Sequence, residues 1–260
     1  MKLDISKVEF SNSDIKRKIK VPERLTVELC EIVGIIAGDG CLYKRKNRYE
    51  IYIYGNSIDD IKYHKEIVKN LFKEVFNLEP KIHKIKDTNA IRTRIDSKAI
   101  FVFFNKVLCI PYGNKVKNLG VQNNILTSKK SIYPYLRGLA DTDFGIKFKK
   151  RNDVKPSLYK YPIIYGNFAS KEFAEQLSRL IKKIGFNNHI ERNKRNNLKT
   201  GKYYESFSIN IIGKENLKTW MKKIGFNNRR HLTKYLLWKK LGYCTPLTTL
   251  QEREILLKSL

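Results

Sequence analysis

Residues 31–40, EIVGIIAGDG, and residues 135–145, YLRGLADTDFG, are each a short apolar run with small residues one helical turn apart, closed by a carboxylate. The same order of elements succeeds each run. RYEIYIYGN (48–56) and YPIIYGN (161–167) read as strands half-buried on one face. Helical stretches come next, IDDIKYHKEIVKNLFKEVF (58–76) and SKEFAEQLSRLIKKIGF (170–186), the second with Ser170 as N-cap and Gly185 as its C-terminal stop. Each copy then has two more strands and a helix: KIHKIK, AIRTRID and AIFVFFNKVL (99–108) in the first, HIERNK, YESFSINI and KENLKTWMKKIGF (214–226) in the second. A duplication on this scale constrains the fold more than any local propensity, because each copy must be a structural unit with its own core.

Superposing the copies sets Asp143 opposite Asp39, Gly138 opposite Gly34 and Thr142 opposite Gly38. Small residues at i and i+4 let another backbone approach closely, so the two apolar runs are expected to pack on each other as helices that both end in a carboxylate. A carboxylate at a helix C-terminus faces the negative end of the dipole, and two such groups together repel. Crowded oxygen donors suit a hard divalent cation, and Mg²⁺ in particular takes one or two carboxylates plus substrate phosphate. A lone Asp-Gly would be only a turn signal; a carboxylate recurring at equivalent repeat positions points to a site. The run DTDFG (141–145) is not a calcium loop, since Ile146 and Asn152 stand where Gly and Glu are needed.

Charge supplies the partner class. Among 260 residues, Lys+Arg number 53 against 25 Asp+Glu, a net charge of +28, with 42% hydrophobic residues to build real cores. A surplus of that size repels itself unless a polyanion is bound, and nucleic acid is the commonest. A basic protein with paired acids is arranged to cut phosphodiesters with metal-activated water. Cys30, Cys41, Cys109 and Cys244 form no C-x-x-C pair and the four histidines no H-x-x-x-H spacing, which argues against zinc or a disulfide framework. With no signal-peptide pattern and no run near the ~18 apolar residues of a membrane span, a cytoplasmic protein with reduced thiols and no membrane partner is expected.

IVGIIAGDG (32–40) and LRGLADTDF (136–144) resemble the paired signature helices of the LAGLIDADG homing endonucleases, and the repeated element order is similar to that family's αββαββα unit. The resemblance implies an α+β fold of two pseudo-symmetric units with mixed or antiparallel, saddle-shaped sheets. It divides the chain into an extension (1–24), a first half (25–125), a second half (126–242) and a helical tail (243–260). It implies a monomer with internal pseudo-two-fold symmetry that binds a long, asymmetric double-stranded DNA site and cuts both strands to leave 3′ overhangs. Asp39 and Asp143 match the family's metal-binding positions for Mg²⁺, with Mn²⁺ as a substitute, and Gly38 and Thr142 just before them could offer backbone carbonyls. Lys115 in PYGNK and Arg229 or Arg230 in GFNNRR stand where the family places a basic residue near the scissile phosphate.

Strand alternation selects Lys44, Arg92, Arg94, Lys147, Lys149, Arg151, Arg192, Lys194, Ser206, Ser208 and Asn210 as groove-facing candidates for base and phosphate contacts. One residue departs from the pattern: Phe144 replaces the last glycine of the second motif. The alternative on the same scaffold is a non-cleaving binder, either a maturase for intron RNA or a DNA-binding regulator. No terminal His-Asn splicing pair is present, so a free-standing or intron-encoded protein is expected rather than an intein. The tail is expected to form a last amphipathic helix from Thr248 or Thr249 that covers a core edge.

Overall fold

A computed structural model describes residues 1–115, 118–122, 126–150, 158–196 and 203–260, with Arg195 and Asn196 described by backbone alone. By contacts the chain divides into unit 1, Met1–Thr142, and unit 2, Asp143–Leu260. The repeat itself divides earlier, at 125/126. The later break arises because helix α6, Lys129–Asp143, packs through most of its length with unit 1.

Unit 1 opens with α1, Asn12–Lys16, held by a capping box between Ser11 and Asp14. Helix α2, Val27–Gly38, starts at an N-cap where the Thr26 hydroxyl accepts from the Leu29 amide. From Leu29 to Gly38 every α2 residue is buried, as expected for a helix apolar on all sides. Strands β1, Gly40–Arg45, and β2, Arg48–Asn56, form a hairpin. Next come α3, Ile61–Tyr63, a π-helical turn at His64–Val68, and α4, Lys69–Phe76. Strands β3, Lys81–Lys84, and β4, Ala90–Asp96, are followed by α5, Lys98–Val102, which runs into a second π-helical turn. The sheet is antiparallel in the order β1-β2-β4-β3.

Unit 2 repeats the plan. Strands β5, Phe144–Lys149, β6, Tyr161–Phe168, β7, His189–Asn196, and β8, Tyr203–Ile212, form an antiparallel sheet in the order β5-β6-β8-β7. Helices α7, Lys171–Lys183, and α8, Lys214–Lys223, supply the apolar cover. Ser170 caps α7, and Gly185 follows it at φ +96°, a conformation that favours glycine. Helix α9, Arg229–Leu241, and the tail helix α10, Leu250–Ser259, complete the unit. A capping box at Thr249 starts α10, and its buried Arg253 donates to the Thr233 hydroxyl and to carbonyls of Thr248 and Arg230. None of the described helices is long and apolar enough to cross a membrane.

The centre of unit 1 is a glycine crossing. A methyl group on Gly34 would lie 2.0 Å from the Tyr135 carbonyl oxygen, and one on Gly138 would lie 2.1 Å from that of Glu31. The atoms that each added methyl would strike bracket the other glycine: Tyr135 and Leu139 stand around Gly138, and Glu31 and Ile35 around Gly34. Because the obstructing atoms are backbone, the helices must separate to admit a side chain. Gly34→Ala and Gly138→Ala should each lower the unfolding free energy by about 1–3 kcal/mol or more, read as a shifted denaturant midpoint at constant m-value.

Candidate metal and nucleic-acid site

Asp39 is the C-cap of α2, at φ −86° and ψ 2°. Beside it, the Lys115 ammonium donates to the carbonyl oxygens of Ile36 (3.3 Å), Ala37 (3.0 Å) and Gly38. These carbonyls lack partners within the helix and carry the negative end of its dipole, so a cation is stabilised there. The lysine is delivered by the strip 112–115: Tyr112 pairs with Leu42 on the free edge of β1, and the Gly113 amide donates to the Leu42 carbonyl at 2.9 Å.

Negative charge gathers around the same helices. Tyr63 is fully buried, and its phenol is pushed well above its ordinary value by burial and then by the charges of Asp141, Glu31, Asp39 and Asp60. Glu31, on α2, is buried and takes two hydrogen bonds from Arg137 of α6, at 3.0 and 2.5 Å. Burial alone would lower the Arg137 guanidinium, but its hydrogen bond and charge pairing with Glu31 hold it above the ordinary value. Asp39 and the carbonyls of this end of α2 are oxygen donors, the chemistry of a hard cation. Among the described residues no group of three or more His, Cys, Asp or Glu side chains could hold a metal ion, so a cation here would draw on few carboxylates and on its substrate.

Asp143 is the last residue of α6, and the turn out of the helix differs from that after α2. A side chain on Gly40 would lie 2.4 Å from Ile36 Cα, whereas the Phe144 ring is accommodated in the unit 2 core. It packs over Gly166, 5.6 Å from Phe168 and 6.0 Å from Trp220 between ring centroids. The Thr142 hydroxyl turns back on its own helix, donating to the Leu139 carbonyl at 2.9 Å.

The basic candidates after the last helix of the second repeat are engaged elsewhere. Arg229 is ion-paired with Glu254 of α10 at 2.5 Å, and Arg230 donates to His231 at 3.0 Å. One turn further along α9, Lys234 reaches the Ile146 carbonyl in β5 at 3.4 Å. Nothing in the sequence separates Lys234 from the other lysines of α9; only the packing of α9 on β5 singles it out.

Register settles which strand candidates share a face. In unit 1, Tyr43, Glu50, Tyr52, Tyr54, Arg92, Arg94 and Asp96 share the open face, while Leu42, Ile51, Ile53 and Thr93 line the core face. Lys44 pairs with Tyr49 on the core-face register, so it is not a neighbour of Arg92 or Arg94, and its ammonium lies 5.2 Å from the Tyr49 ring centroid. The two arginines also differ. Arg94 is ion-paired with Glu50 (2.7 Å) and Asp96 (2.8 Å), whereas Arg92 lies over the Tyr52 ring at 4.9 Å with no ion-pair partner among the described residues.

In unit 2, Lys147, Lys149, Tyr165, Asn167, Asn193, Ser206, Ser208 and Asn210 fall on one face. Ser208 and Asn210 are buried there, contrary to expectation. The Ser208 hydroxyl bonds to Asn167 and accepts from Asn193 at 2.7 Å, and the Asn210 amide donates to Glu191 at 3.2 Å. Longer neighbours cover these short groups, so Asn167 and Asn193 are the outer amides. Arg192 and Lys194 pair with Phe207 and Glu205 and belong to the opposite face, where Arg192 is ion-paired with Glu205 at 2.5 Å. Lys147 stands 4.5 Å from the Tyr165 ring centroid, its ammonium lowered by burial and then by Lys149. Arg151 lies outside the described residues.

Two copies of one αββαββα plan, with signature helices crossing at glycines, define a duplicated α+β class. Comparison with known proteins gives that class its name. Residues 131–225 match the family model of the LAGLIDADG-like domain. The I-SmaMI LAGLIDADG homing endonuclease bound to cleaved DNA is 14% identical at a TM-score of 0.53, covering 86% of this chain and 90% of that one. A variant of I-DmoI in complex with its nicked target DNA in the presence of Mn is 18% identical at 0.50, covering 76% and 95%. Residues 131–225 are thus a LAGLIDADG-like domain, and the chain has the fold of the LAGLIDADG homing endonucleases.

A curated relative, the replication factor C small subunit of Methanocaldococcus jannaschii, is 28% identical over 211 residues, 80% of this chain. This chain spans only 10% to 18% of the first three curated relatives it matches, so what is shared is a segment and not their named activities.

Because the Phe144 ring fills space in the unit 2 core, Phe144→Gly, which restores the motif glycine, should destabilise the protein by about 3–5 kcal/mol in chemical denaturation.

Proposed function

We propose that this chain is a site-specific, divalent-metal-dependent endonuclease that binds a long, asymmetric double-stranded DNA site as a monomer and cuts both strands to leave 3′ overhangs. The observation that carries this reading is the pair of signature helices, α2 capped by Asp39 and α6 ending on Asp143, on a chain of net charge +28. Asp39 and Asp143, with the Gly38 and Thr142 carbonyls, would hold Mg²⁺ or Mn²⁺. A bound cation supplies Lewis-acid polarisation of a phosphodiester and lowers the pKa of water.

The chain's own groups prepare that chemistry. Lys115 already holds a positive charge against the end of α2 beside Asp39, where it can neutralise charge developing on a phosphate. Lys234 takes the corresponding role in unit 2 in place of Arg229 and Arg230, which have other partners. The open sheet faces read the duplex. Arg92, stacked on Tyr52 and without an ion-pair partner among the described residues, is preorganised to read a guanine, and Arg94 positions Glu50 and Asp96. The non-cleaving reading rests on Phe144, whose ring belongs to the unit 2 core.

Incubation with Mg²⁺ and a library of genomic and randomised fragments, with sequencing of new ends, should return recurrent double-strand breaks with 3′ overhangs. Asp39→Asn and Asp143→Asn should each abolish them while leaving DNA binding intact. Enrichment of DNA or intron RNA without new ends would assign the chain to the non-cleaving binders. In the same selection, Arg92→Ala should relax a guanine preference at one position, at about 1–3 kcal/mol, whereas Arg94→Ala should leave base preference unchanged and lower stability.

A further inference from the structure

On the core-face side of the unit 1 sheet, beyond its last apolar pairs, lies a cleft of about 570 Å³. Its aromatic lining is continuous: Tyr49 meets Phe101 edge-on at 5.3 Å, and Phe101 meets Tyr112 at 6.2 Å. Lys7, Lys44, Lys98 and Lys106 line the same cleft, with Glu9 as the one acid. Lys44 and Lys98 converge on a single ring, 5.2 and 5.7 Å from the Tyr49 centroid, and Glu9 pairs with Lys98 at 2.5 Å. Lys44 and Lys106 have no ion-pair partner among the described residues. Like charges are gathered here with too little acid to balance them, which favours an anionic occupant.

Backbone geometry builds the cleft. Lys44 faces Tyr49 across the β1–β2 hairpin, Ser97 caps α5 and so places Lys98, and the Leu42–Tyr112 pairing brings the third ring to the sheet edge. Tyr112 is 56% exposed, so its ring is available to a ligand.

We propose that this cleft binds a single-stranded nucleic-acid segment, with an unpaired base against the exposed Tyr112 ring, which the buried Phe101 backs, and the flanking phosphates against Lys44, Lys98 and Lys106. The occupant needs a planar apolar part and spaced negative charges, and a nucleotide within a strand has both. A duplex offers phosphates but keeps its bases stacked on one another, so it uses the lysines and leaves the rings idle. The site is separate from the open sheet face, since Lys44 and Arg92 belong to opposite faces of one sheet. It therefore stands or falls independently of duplex cleavage.

The test is fluorescence anisotropy of the full chain with labelled oligouridylate and oligothymidylate, with and without excess unlabelled duplex. Tyr112→Ala should weaken single-strand binding roughly 5- to 100-fold, the range for losing one stacking ring, while Tyr112→Phe restores it. Lys44→Glu should weaken it as well, and neither Tyr112 variant should change duplex affinity by more than about twofold. A dominant preference for uridylate or thymidylate assigns the strand as RNA or DNA. The proposal is overturned if the wild-type chain binds neither oligonucleotide, if the variants bind them as the wild type does, or if Tyr112→Ala weakens duplex binding as much as single-strand binding.

Discussion

At the glycine crossing of α2 and α6, backbone lies against backbone. Gly34 and Gly138 each leave room for a carbonyl at a distance that any side chain would block, and that closeness fixes where the two helices cross. The rest of the site depends on it. A slide by one residue would bring Ile35 or Leu139 into the crossing and separate the buried pair formed by Glu31 and Arg137. That pair is satisfied by two hydrogen bonds in one register only, so it adds specificity more than stability.

The C-terminal end of α2 carries the negative end of its dipole, which a cation stabilises. Lys115 provides that cation, although Asp39 in the same turn adds negative charge. The arrangement suits the proposed function, in which acids at the helix ends hold a cation and the Lys115 ammonium meets a phosphate. Tyr63 belongs to the same balance. Buried among four carboxylates, its phenol stays protonated and adds no further charge to an already acidic centre.

The duplicated order of elements, the capped helices and both terminal carboxylates were legible because they follow from periodicity, N-cap chemistry and repetition, which are local properties. What escaped was whatever depends on strand parity or on neighbour length. Lys44, Arg192 and Lys194 sit one residue out of phase with the open face, and a single-residue shift in a strand reverses a side chain. Ser208 and Asn210 have the correct parity but are short, so Asn167, Asn193 and Glu191 cover them. Phe144 was ambiguous in sequence because the same ring could narrow a site or fill a core. Only Gly166, opposite it in the sheet, shows where the ring goes, since a side chain there would collide with it.

Parity also divides the work of the unit 1 sheet. The tyrosines and Arg92 of the open face stand on alternate residues from the isoleucines of the core, so one face can change its contacts without disturbing the other. At the hairpin end that separation extends to function. Past Leu42 and Ile51, the next pair on the core face is Lys44 with Tyr49, and there the sheet turns from core building to lining the cleft. Arg92 on Tyr52 and Lys44 on Tyr49 are then the same physical device, a cation held over a ring, on opposite sides of one sheet. Under the two proposals, the open face takes base edges of an intact duplex, and the cleft takes bases that have left one.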